Sequence, residues 1–145
     1  MSVRVLPAGI LTIFLALVVP ASLHAQNQAA VDSAKQSAQE WLALLDDDEY
    51  EATWTEGADL FQSRVDTEQW VRQVKQAHGP LGEFQSRSLV EARYTTSMPK
   101  APEGEYVIAQ YRATYGSEDV VETVFLKQEQ DEWRVAGYVV RPNQQ

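Results

Sequence analysis

Glu122 is the residue most able to do chemistry in this chain of 145 residues. Around it the sequence alternates with a period of two, so Val120, Glu122, Val124 and Leu126 share one face of a strand. The same face of the preceding strand carries Val107, Ala109, Tyr111, Ala113 and Tyr115. The following strand adds Trp133, Val135, Gly137 and Val139. Glu122 is the only charge among them. If the short turns set Tyr115 opposite Val120 and Leu126 opposite Trp133, its cross-strand neighbours are Ala113 and Gly137. A carboxylate on an apolar face requires a partner or a raised pKa. Arg87 is the best candidate partner, provided it faces Ala113, because the small residues leave room for a guanidinium. A one-residue slip would turn Ser86 or Ser88 inward instead. Three readings stand: a structural ion pair with Arg87, the carboxylate floor of a ligand pocket, and an edge-exposed position. Glu122, Arg87, Tyr111 and Tyr138 are the candidate ligand-binding residues. Tyr111 shares the face of Glu122, and Tyr138 falls on the opposite, mixed face together with Ile108, Arg112, Phe125 and Val140.

Other chemistries find little support. The sequence has two histidines and no cysteine, which argues against zinc of the usual type. His78, beside Gly79-Pro80, reads as a solvated helix-end cation that suits the dipole. Asp46-Asp47-Asp48 lacks the loop glycine and distal glutamate of a calcium loop, and reads as a charge cluster at a helix junction. There is no Gly-x-Ser-x-Gly and no phosphate loop. No catalytic residue, metal site or cofactor is assigned. Trp41, Trp54 and Trp70 lie on apolar helical stripes and read as core, as does Trp133 at the head of the last strand.

The elements that must position these residues follow from periodicity. Residues 1–25 read as an export signal: Arg4 in a short basic region, the apolar run Ile10–Val19, and cleavage after Ala25, with Ala21 as the alternative. The run is too short to span a bilayer. The remaining 26–145 reads as one domain, periplasmic or secreted, without a membrane anchor after cleavage. Three helices are expected: Ala29–Asp46 with Val31, Ala34, Ala38, Trp41, Leu42 and Leu45 inward; Glu49–Phe61; and one capped by Asp66 or Thr67 and stopped at Gly79-Pro80-Leu81-Gly82. Four strands follow, at Phe84–Thr95, Glu105–Tyr115, Val120–Gln128 and Trp133–Val140, the last three an antiparallel meander. The fold class is therefore α+β, with helices packed on one face of a four-stranded antiparallel sheet. The net charge of −9 argues against nucleic acid and against anionic lipid surfaces.

Several phrases of the chain resemble the bacterial family known as domain of unknown function 4019. They are Trp41-Leu42, Asp46 to Tyr50, Trp54, Trp70, Gly79-Pro80-Leu81-Gly82, Ser86-Arg87, Met98 to Tyr106, Glu122, and Trp133-Arg134-Val135-Ala136-Gly137-Tyr138. Lys100 stands where the family pattern suggests glycine, and His78 where it suggests arginine. The resemblance implies a nuclear transport factor 2-like or cystatin-like cone, a fold that hosts both enzymes and inert binding modules. The expected function is a non-catalytic exported module that holds a small ligand or an envelope protein. The alternative is a cone-fold isomerase or hydrolase with Glu122 as acid or base. A purely structural role beside an envelope protein is the third reading, and a homodimer through the mixed sheet face is the candidate assembly.

Overall fold

The structure, a computed structural model, describes residues 21–144, so the apolar run Ile10–Val19 lies outside the described residues. The elements are helices α1 (Ala21–Asp46), α2 (Tyr50–Thr55), α3 (Asp59–Arg64) and α4 (Thr67–His78), a 3-10 turn (Gly79–Leu81), and strands β1 (Phe84–Thr95), β2 (Tyr106–Tyr115), β3 (Glu118–Glu129) and β4 (Glu132–Pro142). The sheet is antiparallel in the order β1-β2-β3-β4. The class is α+β, with the helices against one face of the sheet.

The expected α1 stripe is the core: Val31, Ala34, Ala38, Trp41, Leu42 and Leu45 are all buried, with Val107, Ala109, Val124, Leu126, Trp133 and Val135 of the sheet beneath them. Among the described residues the helix spans Ala21–Asp46, extending before the expected start at Ala29. The added turns are rich in alanine and glutamine, which favour helix without needing a core contact. In place of the single helix expected over Glu49–Phe61 there are two short ones, so three expected helices become four. The break is at Gly57, where a Cβ would stand 2.5 Å from Phe61 Cδ1. Ala58 turns extended, and its N–H donates to the Val135 carbonyl at 2.8 Å, tying the chain to β4. The Gln62 amide then donates to the Trp54 and Thr55 carbonyls at 3.0 and 3.1 Å, satisfying the open end of α2. Asp66 caps α4, its carboxylate accepting from the Gln69 N–H at 2.8 Å. Trp70, Val74 and His78 follow one another down the buried face of α4.

The tryptophan indoles find internal acceptors, as buried N–H groups must. Trp41 donates to the Thr53 carbonyl at 2.8 Å and Trp70 to the Thr53 hydroxyl at 2.9 Å. Trp54 donates to the Val65 carbonyl at 2.8 Å. Trp133 is buried in the same core.

The sheet register differs from the expectation in two ways. Both hairpins close more tightly: Tyr115 pairs with Glu118 and Glu129 with Glu132. The second turn is possible because Gln130 and Asp131 both adopt positive φ, at 50° and 65°. Glu122 therefore lies between Tyr111 and Val140, not between Ala113 and Gly137. A shift by two residues keeps every β3 side chain on its expected face. The second difference is a set of bulges. In β4, Leu126 pairs with Val135 while Phe125 pairs with Gly137, so Ala136 is the extra residue. Beyond it the alternation inverts, and Tyr138 and Val140 turn inward while Gly137 and Val139 turn outward. In β1, extra residues at Gln85 and Val90 do the same. Were Gln85 paired in regular alternation rather than bulged, Arg87 would point away from the helices.

Candidate functional site

Glu122 is fully buried, and the structure surrounds it with donors. Arg87 sits opposite Ala113 in the register of β1 and β2. Its Nε donates to Glu122 Oε2 at 2.5 Å and its Nη2 to Oε1 at 3.2 Å. The same guanidinium reaches across to the end of α1, where Nη1 and Nη2 donate to the two Asp46 oxygens at 2.7 and 2.8 Å. Arg87 also donates to the Tyr115 hydroxyl at 2.8 Å, and its guanidinium lies 4.5 Å from the Phe84 ring centre. Tyr115 and Tyr138 donate to Glu122 Oε1 at 2.7 and 2.6 Å. His78 Nε2 stands 3.0 Å from the Tyr138 hydroxyl and completes the cluster.

The local sequence explains each position. Asp46 is one turn beyond Leu42 on the α1 stripe, so it points at the sheet as Leu42 does. A carboxylate at a helix C-terminus is unfavourable for the dipole, and the two bonds from Arg87 offset this. The Gln85 bulge aims Arg87 inward and the Ala136 bulge aims Tyr138 inward. His78 is the last residue of the buried α4 face, stacked on Tyr138 at 5.8 Å and edge-on to Tyr115 at 5.3 Å.

One guanidinium thus stands between two carboxylates, and the remaining negative charge is met by phenol hydroxyls. Burial works to raise the pKa of Glu122, but the bonds and charge of Arg87, with Tyr138 and Tyr115, outweigh it and hold it below the ordinary carboxylate value. Burial, and then the Glu122 charge, push the Tyr115 and Tyr138 phenols well up, so both stay protonated as donors. Burial lowers the pKa of His78 against the pull of Glu122 and Asp46.

Of the four candidate residues, the structure brings Glu122, Arg87 and Tyr138 into contact. Tyr111 pairs with Glu122 in register, but its buried hydroxyl makes no hydrogen bond among the described residues. Tyr138 is on the helix-covered face, not the mixed face, because of the Ala136 bulge. His78 is not solvated: it is 7% exposed and part of the cluster. Asp46, read as part of a junction charge cluster, is a partner of Arg87. Sequence reasoning misses Asp46, Tyr115 and His78 as site residues. Their signal is a polar group in line with an apolar stripe: Asp46 after Leu42, and His78 after Trp70 and Val74. Tyr115 shares the face of Glu122 but carries no charge to single it out.

An open groove of about 840 Å³ runs beside the cluster, lined by Asp46, Asp48, Tyr50, His78, Phe84 and Tyr115 among others. A second depression of about 710 Å³ lies between α1, α2 and the start of β4, around Trp41, Glu56, Trp133 and Arg134, away from Glu122. Among the described residues, no three His, Cys, Asp or Glu side chains stand together as a preformed metal site. No helix among them is long and apolar enough to cross a membrane.

No curated protein matches the chain. The solved structure of Aln2 from a Streptomyces species is similar over 86% of this chain and 93% of its own, at 10% identity and a TM-score of 0.49. A family model described as "Protein of unknown function (DUF4019)" matches residues 37–138, which include Asp46, His78, Arg87, Tyr115, Glu122 and Tyr138. The chain belongs to that family of proteins of unknown function.

Proposed function

We propose that the protein is a non-catalytic exported binding module in which the Glu122 cluster clasps α1 and α4 to the sheet. The observation that carries this reading is the full engagement of Glu122. Both carboxylate oxygens accept from Arg87, and one also accepts from Tyr115 and Tyr138. A general acid or base needs a pKa near its working pH and access to a substrate proton. Glu122 has its pKa held down and no exposed surface. The helices on one face of a four-stranded sheet suit a nuclear transport factor 2-like cone that has kept its shape without chemistry at its centre.

The test is the titration of the Glu122 side-chain carboxyl, followed by carbon NMR. It is expected to remain ionised below the ordinary glutamate midpoint of about 4.3. A midpoint close to neutrality would return the enzyme reading, with Glu122 as acid or base.

Export rests on Arg4, the apolar run Ile10–Val19 and the small residue Ala25. Mass spectrometry of envelope-fraction protein is expected to find an amino terminus at Gln26 or close to it. A terminus at Met1 in that fraction would defeat the export reading.

A further inference from the structure

We propose that the groove beside the clasp binds a primary alkylammonium group, with His78 Nδ1 as its hydrogen-bond acceptor and Asp47 and Asp48 as its counter-charges. The proposal deepens the binding-module reading and rests on it.

The argument begins with one proton. Glu122 is an ionised carboxylate, so the 2.6 Å bond from Tyr138 uses the only hydroxyl proton that Tyr138 has. The Tyr138 oxygen can then only accept from His78, at 3.0 Å, and the imidazole proton must sit on Nε2. Burial lowers the pKa of the ring and so favours its neutral form. Nδ1 therefore carries a lone pair and requires a donor. None is supplied: among the described residues no donor lies within hydrogen-bond distance of it. Nor is it sealed in, since Tyr111 Oη is the one fully buried side-chain polar atom without a partner among the described residues. The residue as a whole is 7% exposed and forms part of the groove wall. A nearly buried acceptor, fixed in tautomer by two bonds behind it, thus belongs to a residue of the groove wall.

The rest of the wall selects the donor. Asp46 is committed to Arg87. Asp47, Asp48 and Glu83 are exposed acids in the wall, and Lys75 is its only other basic side chain among the described residues. One oxygen of Asp48 accepts from Tyr50 at 2.5 Å, which orients the carboxylate and leaves its second oxygen available. An anion would be repelled. A neutral donor would satisfy Nδ1 but not the acids. An ammonium satisfies both, because it presents three donors on a compact head to one ring nitrogen and separate carboxylates. Leu45 and Phe84 in the same wall offer apolar surface to its alkyl stem. The net charge of −9 draws cations toward the molecule.

The test uses the full chain, labelled with nitrogen-15, and follows the His78 ring nitrogens by NMR. The probe is n-butylammonium chloride. Butyrate and 1-butanol are the controls, and Nα-acetyl-lysine amide separates a free amine from a lysine side chain as the source. A saturable shift of Nδ1 with either amine, absent with both controls, is expected. His78→Phe removes the reporter, so its binding of n-butylammonium is followed by titration calorimetry beside the unaltered chain, and loss of the binding heat is expected. The double variant Asp47→Asn, Asp48→Asn changes only exposed side chains and is expected to weaken binding by about fivefold, the scale of two exposed charge pairs. No shift at Nδ1, or an equal shift with butyrate or 1-butanol, overturns the proposal. Measuring Glu122 in the same samples keeps the two failures apart. An ionised Glu122 without amine binding removes the groove site alone, and a Glu122 that titrates near neutrality removes the binding-module reading.

Discussion

At the scale of single residues, the clasp depends on compensation. Arg87 has 12% of its side chain exposed, Asp46 13% and Glu122 none. Removing the guanidinium leaves two carboxylates facing each other in a low-dielectric interior. Arg87→Met is therefore expected to destabilise the fold by about 3–5 kcal/mol, as loss of one partner of a buried pair does. Glu122→Gln in the Arg87→Met background should cost much less than Glu122→Gln alone, because the stranded charge has gone. A double-mutant cycle by urea denaturation should read a coupling of about 1–3 kcal/mol, and a coupling near zero would show that the pair does not meet in solution. Glu122 is legible in the sequence, since one acid breaks an otherwise apolar face, and Arg87 is the natural partner opposite Ala113. Asp46, Tyr115 and His78 are harder to read. Each lies far along the chain from the group it contacts, and a polar residue at the end of a helical stripe has the same pattern as a solvated helix end. Lys100, where the resemblance leads one to expect glycine, has a φ of 59°, a conformation that glycine adopts without strain.

At the scale of elements, strand extents are legible and bulges are not. The expected span Phe84–Thr95 matches β1 at both ends, and every residue of the expected α1 stripe is buried. A bulge adds one residue without changing composition, so periodicity has no means to announce it, yet it decides which face every later side chain occupies. The α2–α3 break is also hidden, because Tyr50, Trp54, Ala58 and Phe61 keep helical spacing across it. Only the contact between Gly57 and Phe61 and the bond from Ala58 to β4 show why the helix stops. The Ala136 bulge makes a strong prediction. Deleting Ala136 removes the extra residue, so Gly137 follows Val135 in simple alternation and Tyr138 and Val140 stay inward while Gly137 and Val139 stay outward. The deletion should therefore cost less stability than Tyr138→Phe, which removes a hydrogen bond to a charged group, about 1.5–3 kcal/mol. A urea midpoint for the deletion as low as that of Tyr138→Phe, or lower, would mean that Tyr138 does not keep its face when Ala136 is removed.

At the scale of the whole molecule, the cluster links stability to pH. Glu122 and His78 both have folded pKa values below their ordinary ones. Each therefore binds its proton more readily in the unfolded chain, and stability rises with pH through both transitions. The His78 contribution is complete above its unfolded value of about 6.5 and declines as pH falls below it. The Glu122 contribution is complete above about 4.3 and is lost as pH falls through its lower folded value. Urea midpoints should accordingly fall between pH 7 and pH 5, and again below pH 4. His78→Phe should remove most of the first fall and leave the second. A variant with the unaltered profile would place His78 outside the cluster.

The clasp also constrains the order in which the chain can change over time. Arg87 joins two acids that arrive from a helix end and an inner strand, so it is the one member that cannot be lost first without stranding both. A lineage can neutralise Glu122 and then release Arg87, but the reverse path crosses a state in which the fully buried Glu122 has lost its cation. The stability lost by Arg87→Met alone is the depth of that valley. Drift at this spot is therefore directional: the carboxylate on β3 is the gate through which any replacement of the guanidinium has to pass.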